Sequence, residues 1–207
     1  MCGYYNYTVV LTYLGMLVGF TGITFIMDGK IRQAIICLMV AGICDMFDGT
    51  IAATKQRNKR EKRFGIQIDS LSDLICFGAL PALFTYQIGQ KSYPAFLAGC
   101  FYVLCAMIRL AYFNVLEEER QEECDRRPCY FGLPVTTSAL ILPAFFVLAR
   151  HFRWNGNIIF LLVAVLIGVA FILPIKIKKP YFVGKIGILF TGVVEFFILL
   201  LDLGMEI

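Results

Sequence analysis

The sequence predicts an all-α fold, a polytopic bundle of helices that crosses a membrane. Of its 207 residues, 59% are hydrophobic and 16% charged, whereas a soluble domain is about half apolar and about a quarter charged. Mean hydropathy is +0.74. Apolar stretches of about twenty residues recur along the chain, the length at which a helix spans hydrocarbon while satisfying its own backbone hydrogen bonds. No soluble second domain, low-complexity tract or short repeat is evident, and no nucleic acid is expected as a partner.

Seven spans are expected, at about residues 8–27, 31–54, 65–88, 94–113, 131–149, 157–174 and 183–203. The first lacks the basic leader and small-residue cleavage site of a signal peptide, so it is expected to remain as a spanning helix. The second carries Asp45 and Asp48 near its end; the third carries Asp69 and Asp73 near its start and contains Pro81, read as a kink. The fourth holds Arg109. The acidic run from Glu117 to Asp125 reads as a solvated surface loop. Gly132, Leu133 and Pro134 mark the entry to the fifth span, where proline is easily accommodated. Short connections predict antiparallel neighbours packed in one bundle.

Lysine and arginine in the loops set the expected orientation. Residues 55–63 hold Lys55, Arg57, Lys59, Arg60, Lys62 and Arg63 against the single acid Glu61, and Lys176, Lys178 and Lys179 lie in 175–182. With seven spans both loops share one side with the N-terminus and residues 114–130. The other side carries Lys30, Arg32, Lys91, Arg150 and Arg153. The bias predicts that the aspartate side faces the cytoplasm. The eight cysteines form no paired metal-binding spacing. Cys37, Cys44, Cys76, Cys100 and Cys105 read as small apolar packers within spans, and Cys124 and Cys129 fall in a cytoplasmic loop, where disulfides are uncommon. His151, the only histidine, is expected on the far side, which leaves acid–base chemistry to carboxylates.

The four aspartates are the chemical signal. Carboxylates beside hydrocarbon are costly and usually functional. Spacings of three (45 and 48) and four (69 and 73) put each pair on one helix face, and antiparallel packing brings both pairs to one membrane depth. Four converging carboxylates repel unless cations lie among them, and hard divalent ions share such oxygens with substrate phosphates. Gly49 and Gly65 either permit close helix packing or let a ligand approach the backbone. Thr8 and Thr12, near the start of the first span, either face that ligand or satisfy backbone carbonyls. Arg109 in an apolar helix reads as a binder of carboxylate or phosphate; Asn114, one turn on, is either a site residue or a helix C-terminal cap.

The stretch Asp45-Met-Phe-Asp48-Gly49-Thr-Ile-Ala52, followed by Gly65-Ile-Gln-Ile-Asp69-Ser-Leu-Ser-Asp73, resembles the signature of the CDP-alcohol phosphatidyltransferases. The run from Phe64 to Pro81, Ile108-Arg-Leu-Ala-Tyr-Phe-Asn114 and Phe131-Gly-Leu-Pro134 are similar to the phosphatidylserine synthase branch of that family. The resemblance covers roughly residues 5–182, a six-helix core. It divides the chain into a membrane domain over 1–182 and an additional C-terminal spanning helix over 183–207.

The resemblance implies transfer of a phosphatidyl group from CDP-diacylglycerol to a small alcohol, with release of CMP. Asp45, Asp48, Asp69 and Asp73 are then the ligands of two Mg²⁺ or Mn²⁺ ions, with Asp73 also the candidate general base. Thr8, Asp48, Gly49, Ala52 and Gly65 are assigned to the CDP moiety; Arg109, Asn114, Gly132 and Pro134 to the acceptor. L-serine is the favoured acceptor, because a phosphorylated alcohol such as glycerol 3-phosphate or an inositol phosphate needs several converging bases and spans four to six offer chiefly Arg109. A homodimer in the cytoplasmic membrane, surrounded by membrane lipids, is the expected assembly. Two positions depart from the pattern. Ala53 stands where the family has arginine beside the nucleotide, and the spacer of residues 54–64 is longer than the family's, so that Lys55 or Arg57 could supply the missing contact. Tyr112 replaces the second arginine of the serine-synthase segment. Two other classes compete. A divalent-cation transporter would spread its acids through the membrane or use paired broken helices. A prenyl-transferring enzyme would separate its aspartate motifs further and lack Asp-Gly-x-x-Ala.

Overall fold

Long apolar runs dictate the architecture. In the computed structural model, residues 3–123, 129–152, 156–174, 176–178, 191–197 and 199–200 are described. A 3₁₀ turn at Tyr7–Val9 leads into α1 (Val10–Met27), followed by α2 (Ile31–Ala52) and α3 (Lys59–Asp73). A π-turn at Leu74–Ala79 continues α3 into α4 (Leu80–Ile88). Next come α5 (Tyr93–Glu123), strand β1 (Cys129–Phe131), a 3₁₀ turn (Val135–Thr137), α6 (Ser138–His151), α7 (Gly156–Ile172) and strand β2 (Lys176–Lys178). Residues 191–197 and 199–200 are helical.

Four helices are long and apolar enough to cross a membrane: Tyr7–Met27, Ile31–Ala52, Lys59–Ile88 and Tyr93–Glu119. The expected fifth and sixth spans are shorter apolar helices, Val135–His151 and Ile158–Ile172. Much of the expected seventh lies outside the described residues. Large apolar side chains such as Leu14, Leu17, Phe20, Leu104, Leu162 and Leu166 are exposed on the bundle's exterior, as a hydrocarbon solvent permits.

α1 packs chiefly on α2, and α5 on α7 and α4. The α1–α2 seam is a small-residue face: Thr12, Gly15, Gly19, Gly22 and Ile26 are buried along one side of α1. A Cβ on Gly15 would lie 3.2 Å from Cys44 Cβ, and one on Gly22 would lie 3.0 Å from Cys37 Cβ. Helices in lipid associate through such close approach. The cysteines of this seam are packers, as expected, and Cys37, Cys44, Cys76, Cys100 and Cys105 are free thiols. Cys124 lies outside the described residues, and Cys129 opens β1.

Several expectations are corrected. The third helix begins at Lys59, well before residue 65, because Asn58 and Glu61 form a capping box: Glu61 N donates to Asn58 Oδ1 at 2.8 Å and Asn58 N to Glu61 Oε2 at 3.0 Å. Lys59, Arg60, Lys62 and Arg63 are therefore helical, and the connecting loop shrinks to residues 53–58. The helix of the fourth span continues into the acidic run as far as Glu123, since residues 114–123 contain neither glycine nor proline and consist largely of good helix formers. Pro81, read as a kink, stands in the first turn of α4 directly after the π-turn. The π-turn before it sends the Leu80 amide to the Ile75 carbonyl, and the Phe77 carbonyl, whose usual partner would be the proline nitrogen, accepts from the buried Tyr102 hydroxyl at 3.1 Å. The fifth helical segment starts at Val135 rather than 131, because Phe131 ends β1 and Gly132 has φ +76°. β1 pairs antiparallel with β2, Tyr130 opposite Ile177, so residues 129–131 and 176–178 lie together at one end of the bundle, as the alternating topology requires.

Candidate active site

The hairpin of α2 and α3 assembles the carboxylates. Asp45, Asp48 and Asp69 each present an oxygen within 4.8 Å of the others. Asp48 is buried, and its Oδ2 accepts from Thr12 Oγ1 at 2.8 Å. Thr12 therefore orients a carboxylate and does not satisfy a backbone carbonyl, one of the two readings its sequence position left open. The signal was present: Thr12 lies on the same 3-and-4-spaced face as Gly15, Gly19 and Gly22. Asp73 is also buried but lies outside the close trio. It lines, with Asp45, Asp48, Thr12, Ser72 and Cys76, an inner cavity of about 10 Å³. Ser72 Oγ donates to the Thr12 carbonyl at 3.4 Å, tying the second helical pair to α1.

Above this cavity opens a pocket of about 360 Å³. Thr8, Asp48, Gly49, Ala52 and Gly65, the residues assigned to the nucleotide, all line it, together with Thr12, Arg57, Lys62, Asp69 and Glu117. Thr8 is fixed there through Asn6 Oδ1, which accepts from both its amide and its hydroxyl. The two motif glycines face the pocket and not a neighbouring helix. A Cβ on Gly49 would meet nothing within 4 Å, and one on Gly65 would meet only the Arg57 guanidinium. Of the two readings of these glycines, access for a ligand is the one the geometry supports.

Arg109 is buried within α5. Its Nε donates to the Leu133 carbonyl at 3.3 Å, its guanidinium lies 5.6 Å from the centre of the Phe113 ring, and its buried Nη1 has no hydrogen-bond partner among the described residues. A buried cation with a free donor calls for an acceptor. Gly132 lies beside it: besides its positive φ, a Cβ there would fall 2.8 Å from the Phe171 carbonyl and 3.3 Å from Arg109 Nε. Only glycine fits this bend. Asn114 is not a helix cap, because α5 runs on past it; its Oδ1 accepts from Ser70 Oγ at 2.6 Å. This pair, and the 3.6 Å approach of Ala106 to the Cβ position of Gly78, bracket Asp73 and Arg109 at one level of the bundle. Pro134 lines a separate, mostly apolar cavity of about 280 Å³ with Asp45, Thr136 and Thr137. His151 ends α6, about 20 Å of helix from Thr137, and takes no part in the site.

All three close carboxylates offer hard oxygen donors, and no lysine or arginine forms an ion pair with them among the described residues. That donor set fits divalent cations of the Mg²⁺ type.

Comparison with known proteins gives the same reading. The chain is similar to the archaetidylserine synthase of Methanothermobacter thermautotrophicus, with 30% identity over 158 residues that cover 76% of this chain and 64% of the relative. It resembles the CDP-diacylglycerol–serine O-phosphatidyltransferases of Saccharomyces cerevisiae (33% over 143 residues, 63% of this chain and 51% of the relative) and Bacillus subtilis (26% over 180 residues, 86% and 92%). Against the Mycobacterium relatives the chain spans about half of their length. The sequence model of the CDP-alcohol phosphatidyltransferases matches residues 5–175, over which α1 to α7 and the carboxylate cluster are built, and the chain belongs to that family.

Proposed function

We propose that this chain is an integral membrane enzyme that transfers a phosphatidyl group from CDP-diacylglycerol to L-serine, forming phosphatidylserine and releasing CMP. The convergence of Asp45, Asp48 and Asp69 beside a pocket walled by the two motif glycines carries the reading. The names of the serine-transferring relatives support the acceptor. All four aspartates cluster at one end of the bundle, an arrangement that serves a surface reaction and not a transport path. The same reading has the enzyme in the cytoplasmic membrane with its site on the cytoplasmic face, using Mg²⁺ or Mn²⁺ and working as a homodimer.

In this reading Asp45, Asp48 and Asp69 hold the metal, with Asp73 reaching the same centre from the inner cavity. Bound there, divalent cations supply charge stabilisation to the pyrophosphate being cleaved. Thr12 keeps the Asp48 carboxylate turned toward its ligand. Gly49 and Gly65 leave the backbone open to the nucleotide, and Thr8 and Ala52 line its pocket. Arg109 receives the serine carboxylate on its free Nη1, held in position by the Leu133 carbonyl, the Gly132 bend and the wall near Pro134; Asn114 holds α5 to α3 at this level through Ser70. Asp73 takes the proton of the serine hydroxyl as its oxygen attacks the phosphorus bearing the diacylglycerol. The bond from that phosphorus to the oxygen of CMP breaks, and CMP leaves with the electron pair.

The test is to incubate the purified protein, in lipid nanodiscs with CDP-diacylglycerol, with serine, glycerol 3-phosphate or an inositol phosphate, following CMP and the lipid product. Release of CMP that requires serine, stops with chelator and returns with Mg²⁺ or Mn²⁺ is expected. Product from a phosphorylated acceptor but none from serine would reject serine; no CMP with any alcohol would reject the activity.

A further inference from the structure

Alanine at position 53 leaves the nucleotide side of the pocket without the arginine that the resembled motif carries there. A nucleoside diphosphate brings negative charge to a pocket that already contains Asp48 and Asp69, so a cation from the protein beyond the metal site is needed to balance it. Three observations single out the residue that takes this role. Arg57 lines the same 360 Å³ pocket as Thr8, Asp48, Gly49 and Asp69. Its Nη1 occupies the space left by the missing side chain of Gly65, lying 2.8 Å from where a Cβ would stand. Finally, Arg57 directly precedes the Asn58–Glu61 capping box, which anchors the end of the loop and engages Glu61, the only acid between residues 53 and 65. Arg57 accordingly has no ion-pair partner among the described residues. Lys62 lines the pocket too, but its side chain is exposed and an ammonium lacks the planar fork that grips phosphate oxygens.

We propose that Arg57 is the diphosphate-binding cation of this chain, taking over from the α2–α3 loop the contact that position 53 has lost, and that Gly65 is the seat that lets its guanidinium reach the pocket. The inference rests on the site binding CDP-diacylglycerol. In this arrangement the arginine approaches from the α3 side of the pocket and not from the end of α2. Restoring arginine at 53 in the otherwise native chain then adds little, because the place is filled.

Two readouts test it, one without turnover: binding of soluble CDP in the presence of Mg²⁺ by titration calorimetry, and the apparent KM for each substrate. Arg57→Ala should weaken CDP and raise the KM for CDP-diacylglycerol by about ten- to hundredfold, the usual size of a lost charge-assisted contact, with the KM for serine within about twofold. Arg57→Lys should fall between. Ala53→Arg added to Arg57→Ala should recover much of the lost affinity. Gly65→Ala, whose new methyl meets only the mobile end of Arg57, should weaken CDP in the same direction while the protein stays monodisperse. Equal CDP affinity in the native chain and in Arg57→Ala would overturn the proposal, as would a rise in KM shared equally by serine. Failure of the native chain itself to bind CDP would instead overturn the reading of the site on which the proposal rests.

Discussion

Asp45, Asp48, Asp69 and Asp73 come from two consecutive helices joined by residues 53–58, whereas the surroundings of Arg109 come from α5, the bend at Gly132 and Leu133, and the end of α7 at Phe171. The carboxylate side is thus a local construction. Helical spacing fixes which side chains share a face, and one antiparallel turn brings the faces together. The Arg109 side is non-local: its hydrogen bond to Leu133 and its contact with Gly132 depend on where a bent segment returns to the bundle. Local encoding leaves a compact motif in the chain. Non-local encoding leaves single residues whose partners cannot be read in sequence order.

Breaking the carboxylate side should have the largest effect. Asp45→Asn, Asp48→Asn or Asp69→Asn should each lower CMP release by at least about a hundredfold, since loss of residues that merely orient metal ligands already costs about 10–100-fold. Added Mg²⁺ or Mn²⁺ at high concentration should restore part of this, and near-native rates in all three variants would remove the cluster from the chemistry. Asp73→Asn should lower kcat by about a hundredfold or more, the usual range for a general base, while both apparent KM values hold; a change confined to KM would make Asp73 a binding residue.

The Arg109 side should respond differently. Arg109→Lys keeps the charge but loses the fork that matches a carboxylate, so the KM for serine should rise about tenfold or more and that for CDP-diacylglycerol should hold. Equal weakening of both would erase the distinction between the two sides. A smaller change sharpens the carboxylate side itself. Thr12→Val removes the hydrogen bond to Asp48 and should weaken apparent metal affinity by about tenfold, with Thr12→Ser near native; a metal titration of CMP release separates the three proteins. Smallest should be Tyr102→Phe, which leaves the Phe77 carbonyl without its hydroxyl and should cost about 1–3 kcal/mol of stability. Thermal unfolding in detergent reads this, and CMP release at low temperature should stay near native.

The site's legibility followed the same division. The aspartate pairs and the glycines beside them were evident from spacing, and the structure brings all five residues assigned to the nucleotide into one pocket. Thr12 stayed ambiguous in sequence because a threonine in an apolar helix can also satisfy a backbone carbonyl, and only the packing of α1 on α2 aims it at Asp48. Asn114 was open between a site residue and a cap because apolar periodicity stops near it; the polar residues after it extend the helix to Glu123, which removes the cap. The acidic run was read from its charge, and charge does not report whether a solvated segment is helical.

By itself the sequence determined a membrane helix bundle, through recurring apolar length and the need to satisfy backbone hydrogen bonds in hydrocarbon. It likewise determined the carboxylate cluster, through periodicity within two adjacent helices. Where Arg57 lies relative to Gly65, what Thr12 donates to, and how Gly132 meets Arg109 were decided only in the tertiary structure. Each of these depends on the relative rotation and depth of helices that no local pattern specifies. That geometry is set by the simultaneous packing of small residues along every seam of the bundle.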